Sequence, residues 1–210
     1  MISLNKELGF SQPHDICLTS VLSDFMGTIY GAEFGVAWGG SVEIAAKKLI
    51  GRGIVWGFDT FSSHPKHLVN GDLISFPNGD NEATTMDPHY LKYGMAGLDI
   101  SYQRDQLRSM SLNNAVLIQG LINKNSCINA GIPMLHYAHL DLDILESMQV
   151  AYSVSFPLIV EGGYLLMHDC HNFKRICDWI NDEIIPSGKW DLVLNSQETL
   201  YCMFRKKKQS

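Results

Sequence analysis

At 210 residues, 46% of them hydrophobic and 18% charged, the chain has enough apolar material for a core covered on both sides, and large-scale disorder is not expected. A formal net charge of -6 argues against a general electrostatic grip on nucleic acid. No apolar stretch reaches membrane-spanning length, no signal-peptide core opens the chain, and cysteines at 17, 127, 170, 177 and 202 are too scattered for a disulfide framework, so a reducing, cytoplasmic setting without membrane insertion is expected.

Residues 1 to 28 read as helical cover ahead of a sheet, and name no chemistry. Ile29 to Gly35 is a short buried strand, Val36 to Gly40 the turn after it, and Ser41 the expected N-cap of a helix carrying Ile44, Ala45 and Leu49. Gly51 or Gly53 stops that helix, and Ile54 to Asp59 forms the second strand of a crossover unit. Residues 60 to 113, rich in proline, glycine and polar groups, read as a lid or substrate-side insertion, with a crossover helix around Ser101 to Met110.

Further strands follow at Ala115 to Gly120, Leu135 to Asp141 and Tyr164 to Asp169, the last entered by a turn at Gly162-Gly163. Helices are expected from Ile144 to Phe156 and from Phe173 to Ile184, and two closing strands, Trp190 to Leu194 and Leu200 to Phe204, suit an antiparallel hairpin. The pattern predicts one α/β domain over 1–210, Rossmann-like and doubly wound.

The turn from Glu33 to Ser41 lacks both Gly-x-Gly-x-x-Gly and the lysine of a phosphate loop. Its reduced glycine set, Gly35, Gly39 and Gly40, still lets backbone approach a cofactor closely, and the missing pyrophosphate cradle favours one without phosphates. S-adenosylmethionine fits, with its cationic groups near Glu33. Asp59 ends the second strand, where an acid can accept both ribose hydroxyls.

Asp141 and Asp143 follow the fourth strand, and His168 and Asp169 end the fifth. Strand carboxyl ends border the ligand crevice, so these groups can converge on a hard cation that lowers the pKa of a substrate oxygen. Equally, His168 or His139 suits a general base. Cys170, His171 and Cys177 with His168 have only loose zinc spacing and no C-x-x-C pair, so zinc is not expected.

Four segments together resemble class I S-adenosylmethionine-dependent methyltransferases, and more narrowly the macrocin O-methyltransferase group: Glu33-Phe34-Gly35-Val36 with Gly39-Gly40-Ser41, Gly57-Phe58-Asp59-Thr60-Phe61, His139-Leu140-Asp141-Leu142-Asp143, and Gly162-Gly163 through His168-Asp169-Cys170. The resemblance implies a mostly parallel seven-stranded sheet with helices on both faces and an antiparallel last strand. It implies that Gly35 and its neighbours contact the cofactor's methionine end, Asp59 its ribose and the Gly120-Leu121 turn its adenine. It further implies a divalent cation, usually magnesium, on Asp141, His168 and Asp169, with Asp143 as base or orienting residue. The chain departs from the group in having His168-Asp169 where two consecutive acids are typical, and Cys170 where an aromatic follows.

The function expected is O-methyl transfer to a hydroxyl of a small molecule, such as a sugar or glycosylated acceptor, with Asp143 or His139 taking the proton. A homo-oligomer is compatible with this reading. The alternatives are a hydroxylase-like or metal-free relative, or a binding and assembly subunit that keeps the fold without catalysis.

Overall fold

The computed structural model describes residues 11–61, 68–69, 72–73, 99–168, 170–171, 173–197 and 200–208. In chain order the elements are α1 (Ser11–Ser23), β1 (Ile29–Phe34), α2 (Gly40–Lys48), β2 (Gly53–Asp59), a short hairpin β3 (Leu68–Val69) and β4 (Asp72–Leu73), α3 (Ile100–Ser109) and β5 (Ala115–Gln119). They continue with α4 (Ser126–Asn129), β6 (Leu135–Leu140), α5 (Leu145–Ser155), β7 (Ile159–Met167), α6 (Lys174–Trp179), which runs into a π turn over Ile180–Ile184, β8 (Trp190–Ser196) and β9 (Tyr201–Lys206). Most of the 60–113 insertion, and residues 1–10, lie outside the described residues.

Seven strands form one sheet in the order β5-β2-β1-β6-β7-β9-β8. The first five run parallel, while β9 pairs antiparallel with both β7 and β8. The fold class predicted from sequence is therefore the one observed. In the closing pair it is the second strand, β9, that lies between β7 and β8. Tyr201, at the start of β9, is thereby brought to the carboxyl end of β7, where Met167 pairs with Cys202.

Side chains alternate between the two faces of each strand. Phe34, Phe58, Ala138, Leu140, Leu165 and Phe204 pack with Met148 and Ala151 of α5 and Ile176 and Trp179 of α6. Val55, Leu117, Leu166 and Met203 pack on the other face with Leu18 and Val21 of α1, Val42 and Ala45 of α2 and Leu107 of α3. A sheet covered on both faces explains why its strands read as continuous apolar runs. Glu33 and His139 belong to the face under α1, in register as Cα partners. The ion pair from Lys48 Nζ to Asp15 Oδ1, 2.7 Å, holds α1 against α2.

Two local expectations change. Gly39, not Ser41, is the N-cap of α2, with φ at 81°, and Ser41 lies inside the first turn. That left-handed backbone suits glycine, and it frees the Ser41 hydroxyl for other work. The Gly162-Gly163 pair lies inside β7 and not before it: the register with β6 slips between Leu135 opposite Ile159 and Tyr137 opposite Tyr164, with Gly162 at φ 75° absorbing the extra residues.

Candidate cofactor and cation site

β1 is flanked by β2 on one side and β6 on the other, so the chain order reverses between β1 and β6. In open α/β sheets the crevice beyond the carboxyl ends at that point is where ligands bind. Here it is bordered by the turn after β1 and by the ends of β2, β5, β6 and β7.

The β1 turn is rigidly specified. Gly35 adopts φ 94°, and a Cβ there would lie 1.7 Å from the Asp141 carbonyl oxygen, so only glycine lets the ends of β1 and β6 come this close. Asp59 Oδ2 accepts from the backbone N–H groups of Val36 at 2.8 Å and Ala37 at 2.9 Å, while Oδ1 accepts from Phe61 N–H at 2.8 Å. Gln103 of α3 donates to the Ala37 carbonyl at 2.5 Å and closes the turn from above. The N–H of Gly120 donates to the Asp59 carbonyl at 2.9 Å, which sets the β5 turn beside the same crevice. Three non-glycine residues with positive φ, Ala37, Phe61 and Asp143, each follow the end of a strand here, a concentration of backbone strain found at functional sites.

Beneath the turn lies a buried polar array. Glu33 is 1% exposed and accepts from the Ser41 hydroxyl at Oε1. Burial pushes its carboxyl up to about 7, against the pull of His14 and the Ser41 hydrogen bond and with the push of Asp141 and Asp59. His139 is fully buried; its Nδ1 lies 3.4 Å from Glu33 Oε2, and its Nε2 is 3.2 Å from the Tyr201 hydroxyl. The same hydroxyl lies 3.1 Å from Nδ1 of His14, whose imidazole burial and neighbouring His139 bring down to about 4.

Asp141 and His168 stand at the crevice itself, with Oδ1 and Nδ1 3.1 Å apart and both side chains partly exposed. Burial would raise the Asp141 pKa, but the His168 hydrogen bond and charge, with His139 and His14, hold it below the ordinary aspartate range. Asp143 follows at φ 59°, and Asp169 lies outside the described residues. A carboxylate and an imidazole converging on one crevice are a donor pair suited to a divalent cation.

The structure brings Glu33, Gly35, Gly39, Ser41, Asp59, Asp141 and His168 into one region. His139 is set behind them, away from solvent. Sequence reasoning missed His14, Gln103 and Tyr201. His14 carried one faint signal: it continues the buried stripe of Leu18 and Leu22 at helical spacing, which makes it a polar group on a core-facing side.

No protein-family model matches the chain, and no curated protein matches it. Solved structures do. The O-methyltransferase NovP is 18% identical over 94% of this chain and 79% of its own, with a TM-score of 0.70. CalS11, a calicheamicin methyltransferase, is 16% identical over 96% of this chain and 80% of its own, again at 0.70. An rRNA methylase from Streptococcus thermophilus is 13% identical over 94% and 98%, at 0.56. The chain has the fold of these methyltransferases. Among its described residues, no helix is long and apolar enough to cross a membrane.

Proposed function

We propose that the chain transfers the methyl group of S-adenosylmethionine to a hydroxyl oxygen of a small molecule. The observation that carries this reading is the turn after β1: it has the backbone closeness of a cofactor site but no cradle for phosphate, and Asp59 clamps it at the switch point of the sheet. The likeness to NovP and CalS11 supports it, and the net charge of -6 favours a small acceptor over RNA. An apo structure of CalS11 describes that protein as a TDP-rhamnose 3'-O-methyltransferase, which makes a sugar hydroxyl the first acceptor class to try.

In this reading Gly35, Gly39, Gly40 and Ser41 meet the methionine end, with Glu33 behind them. Asp59 keeps its backbone clamp and offers its remaining lone pairs to the ribose. Gly120, with the exposed Leu121 beside it, faces the adenine. Asp141, His168 and Asp169 hold a divalent cation, magnesium being the first choice for a largely oxygen-donor crevice. Such a cation supplies a Lewis acid that lowers the pKa of the acceptor hydroxyl. Asp143 takes the hydroxyl proton as the oxygen–carbon bond forms and the sulfur–carbon bond breaks, leaving the neutral thioether. His139, which has no exposed surface, orients Glu33 and does not touch the acceptor.

The test is transfer of deuterated methyl from the labelled cofactor to a panel of nucleotide sugars, glycosides and RNA, read by mass spectrometry with and without magnesium. Label on a hydroxyl oxygen, reduced at least about tenfold by Asp141→Asn, is expected, the equivalent of losing one transition-state interaction. Label appearing on RNA and on no small acceptor would contradict the reading.

A further inference from the structure

Glu33, His139 and His14 come from three separate elements, β1, β6 and α1, yet one ligand atom from each lies within 4.8 Å of the other two. All three side chains are buried to 1% exposure or less. His14 Nε2 and Glu33 Oε2 have no hydrogen-bond partner. A buried polar atom left in that state costs about 1–3 kcal/mol, so two of them side by side call for a third party.

The surroundings orient these atoms inward. One hydroxyl, that of Tyr201, stands 3.1 Å from His14 Nδ1 and 3.2 Å from His139 Nε2. Its oxygen can accept from both rings at once when each imidazole carries its proton on the outer nitrogen. In that arrangement the inner nitrogens face Glu33, with His139 Nδ1 3.4 Å from Oε2. Ser41 holds the other carboxylate oxygen. Ligating histidines characteristically have their second nitrogen tied in this way, and a ligating carboxylate its second oxygen.

We propose that His14, Glu33 and His139 form a binding site for a divalent transition-metal ion of the zinc class. Two imidazoles and one carboxylate are a ligand set for zinc with one coordination position open, and they are a poor match for magnesium, which takes oxygen and water. Among the described residues no fourth donor joins the group. The ion ties α1 to the sheet directly behind the cofactor turn, since Glu33 also carries Ser41 of α2. It is a different site from the crevice-facing Asp141 and His168, and it stands whether or not the protein transfers methyl groups.

The experiment is a Co(II) titration of chelator-stripped full-length protein, followed by visible d–d absorption, with zinc content of the untreated protein measured by mass spectrometry. One ion per chain is expected in the intense visible absorption of a four-coordinate site, an oxygen-rich crevice ion absorbing only weakly, with His14→Gln and Glu33→Gln each losing at least tenfold in affinity by that band, and Tyr201→Phe, which removes the outer support, about 10–100-fold. Asp141→Asn leaves this binding unchanged, which separates it from the methyl-transfer reading, and Cys202→Ser leaves it unchanged too. Zinc X-ray absorption on the wild-type chain, which needs no substitution, should report nitrogen and oxygen neighbours only. No Co(II) binding, binding indifferent to both His14→Gln and Glu33→Gln, or sulfur in the zinc shell would overturn the proposal; sulfur would point to the other converging group, Cys170, His171 and Cys202.

Discussion

Asp59 Oδ2 accepts the backbone N–H of Val36 at 2.8 Å, so the acid at the end of β2 holds the turn at the end of β1 in place. The same carboxylate takes Ala37 and Phe61 N–H groups, and it is therefore a structural clamp before any ligand arrives. Asp59→Ala strands three donors. Hydrogen bonds to a charged acceptor contribute about 1.5–3 kcal/mol each and do not add fully, so a loss of about 3 kcal/mol is expected in urea denaturation. Asp59→Asn keeps one carbonyl oxygen and should lose about half of that. Equal stability of all three proteins would show that the clamp is not load-carrying.

Gly35→Ala places a methyl group 1.7 Å from the Asp141 carbonyl oxygen at a backbone angle of φ 94°. Either the β1 turn or the β6 end must move, and a destabilisation of about 3 kcal/mol or more is expected from strain and lost ladder hydrogen bonds together. Thermal unfolding measures it. A change under about 1 kcal/mol, the ordinary cost of a surface substitution, would mean the two strand ends are further apart than described.

The pH dependence of metal-free protein should carry two opposing slopes. Glu33, raised from 4.5 to about 7, stabilises the fold below pH 4.5 and loses that contribution as pH rises through 7. His14, lowered from 6.5 to about 4, contributes above pH 6.5 and loses it as pH falls through 4. Each contribution is on the order of 3 kcal/mol, so they largely cancel between pH 4.5 and 6.5. Wild-type stability should be flat in that window, Glu33→Gln should weaken toward acid, and His14→Asn should weaken toward neutrality. Parallel curves for the three proteins, in a chelating buffer, would contradict the assignment of either group. His139, His168 and Asp141 face the same array, and the depressed Asp141 adds its own loss of stability only at more acid pH.

The sheet was legible because burial on both faces leaves a plain record: apolar runs such as Ile54-Val55-Trp56 and Leu165-Leu166-Met167 between polar turns. Strand-end residues were legible for a related reason, since Gly35, Asp59 and Asp141 sit where chain direction and ligand access are both constrained. The array under α1 was not. His14 and Tyr201 are separated by 187 positions and meet only because the closing hairpin tucks β9 against β7. No local pattern encodes that meeting. The N-cap of α2 was misplaced because Ser41 has the right chemistry for a cap, yet Glu33, on the neighbouring strand, claims its hydroxyl. The β7 bulge was read as a turn because a glycine pair marks both equally well.

S-adenosylmethionine is the ligand proposed for the crevice at the ends of β1 and β2. Isothermal calorimetry of the full chain with S-adenosylmethionine and S-adenosylhomocysteine, with and without magnesium, tests it most directly. Saturable one-to-one binding of both ligands is predicted, weakened at least tenfold, or about 1.4 kcal/mol, by Asp59→Ala and left in place by Asp141→Asn. Absence of saturable binding by either ligand to folded wild-type protein, in both conditions, would contradict it.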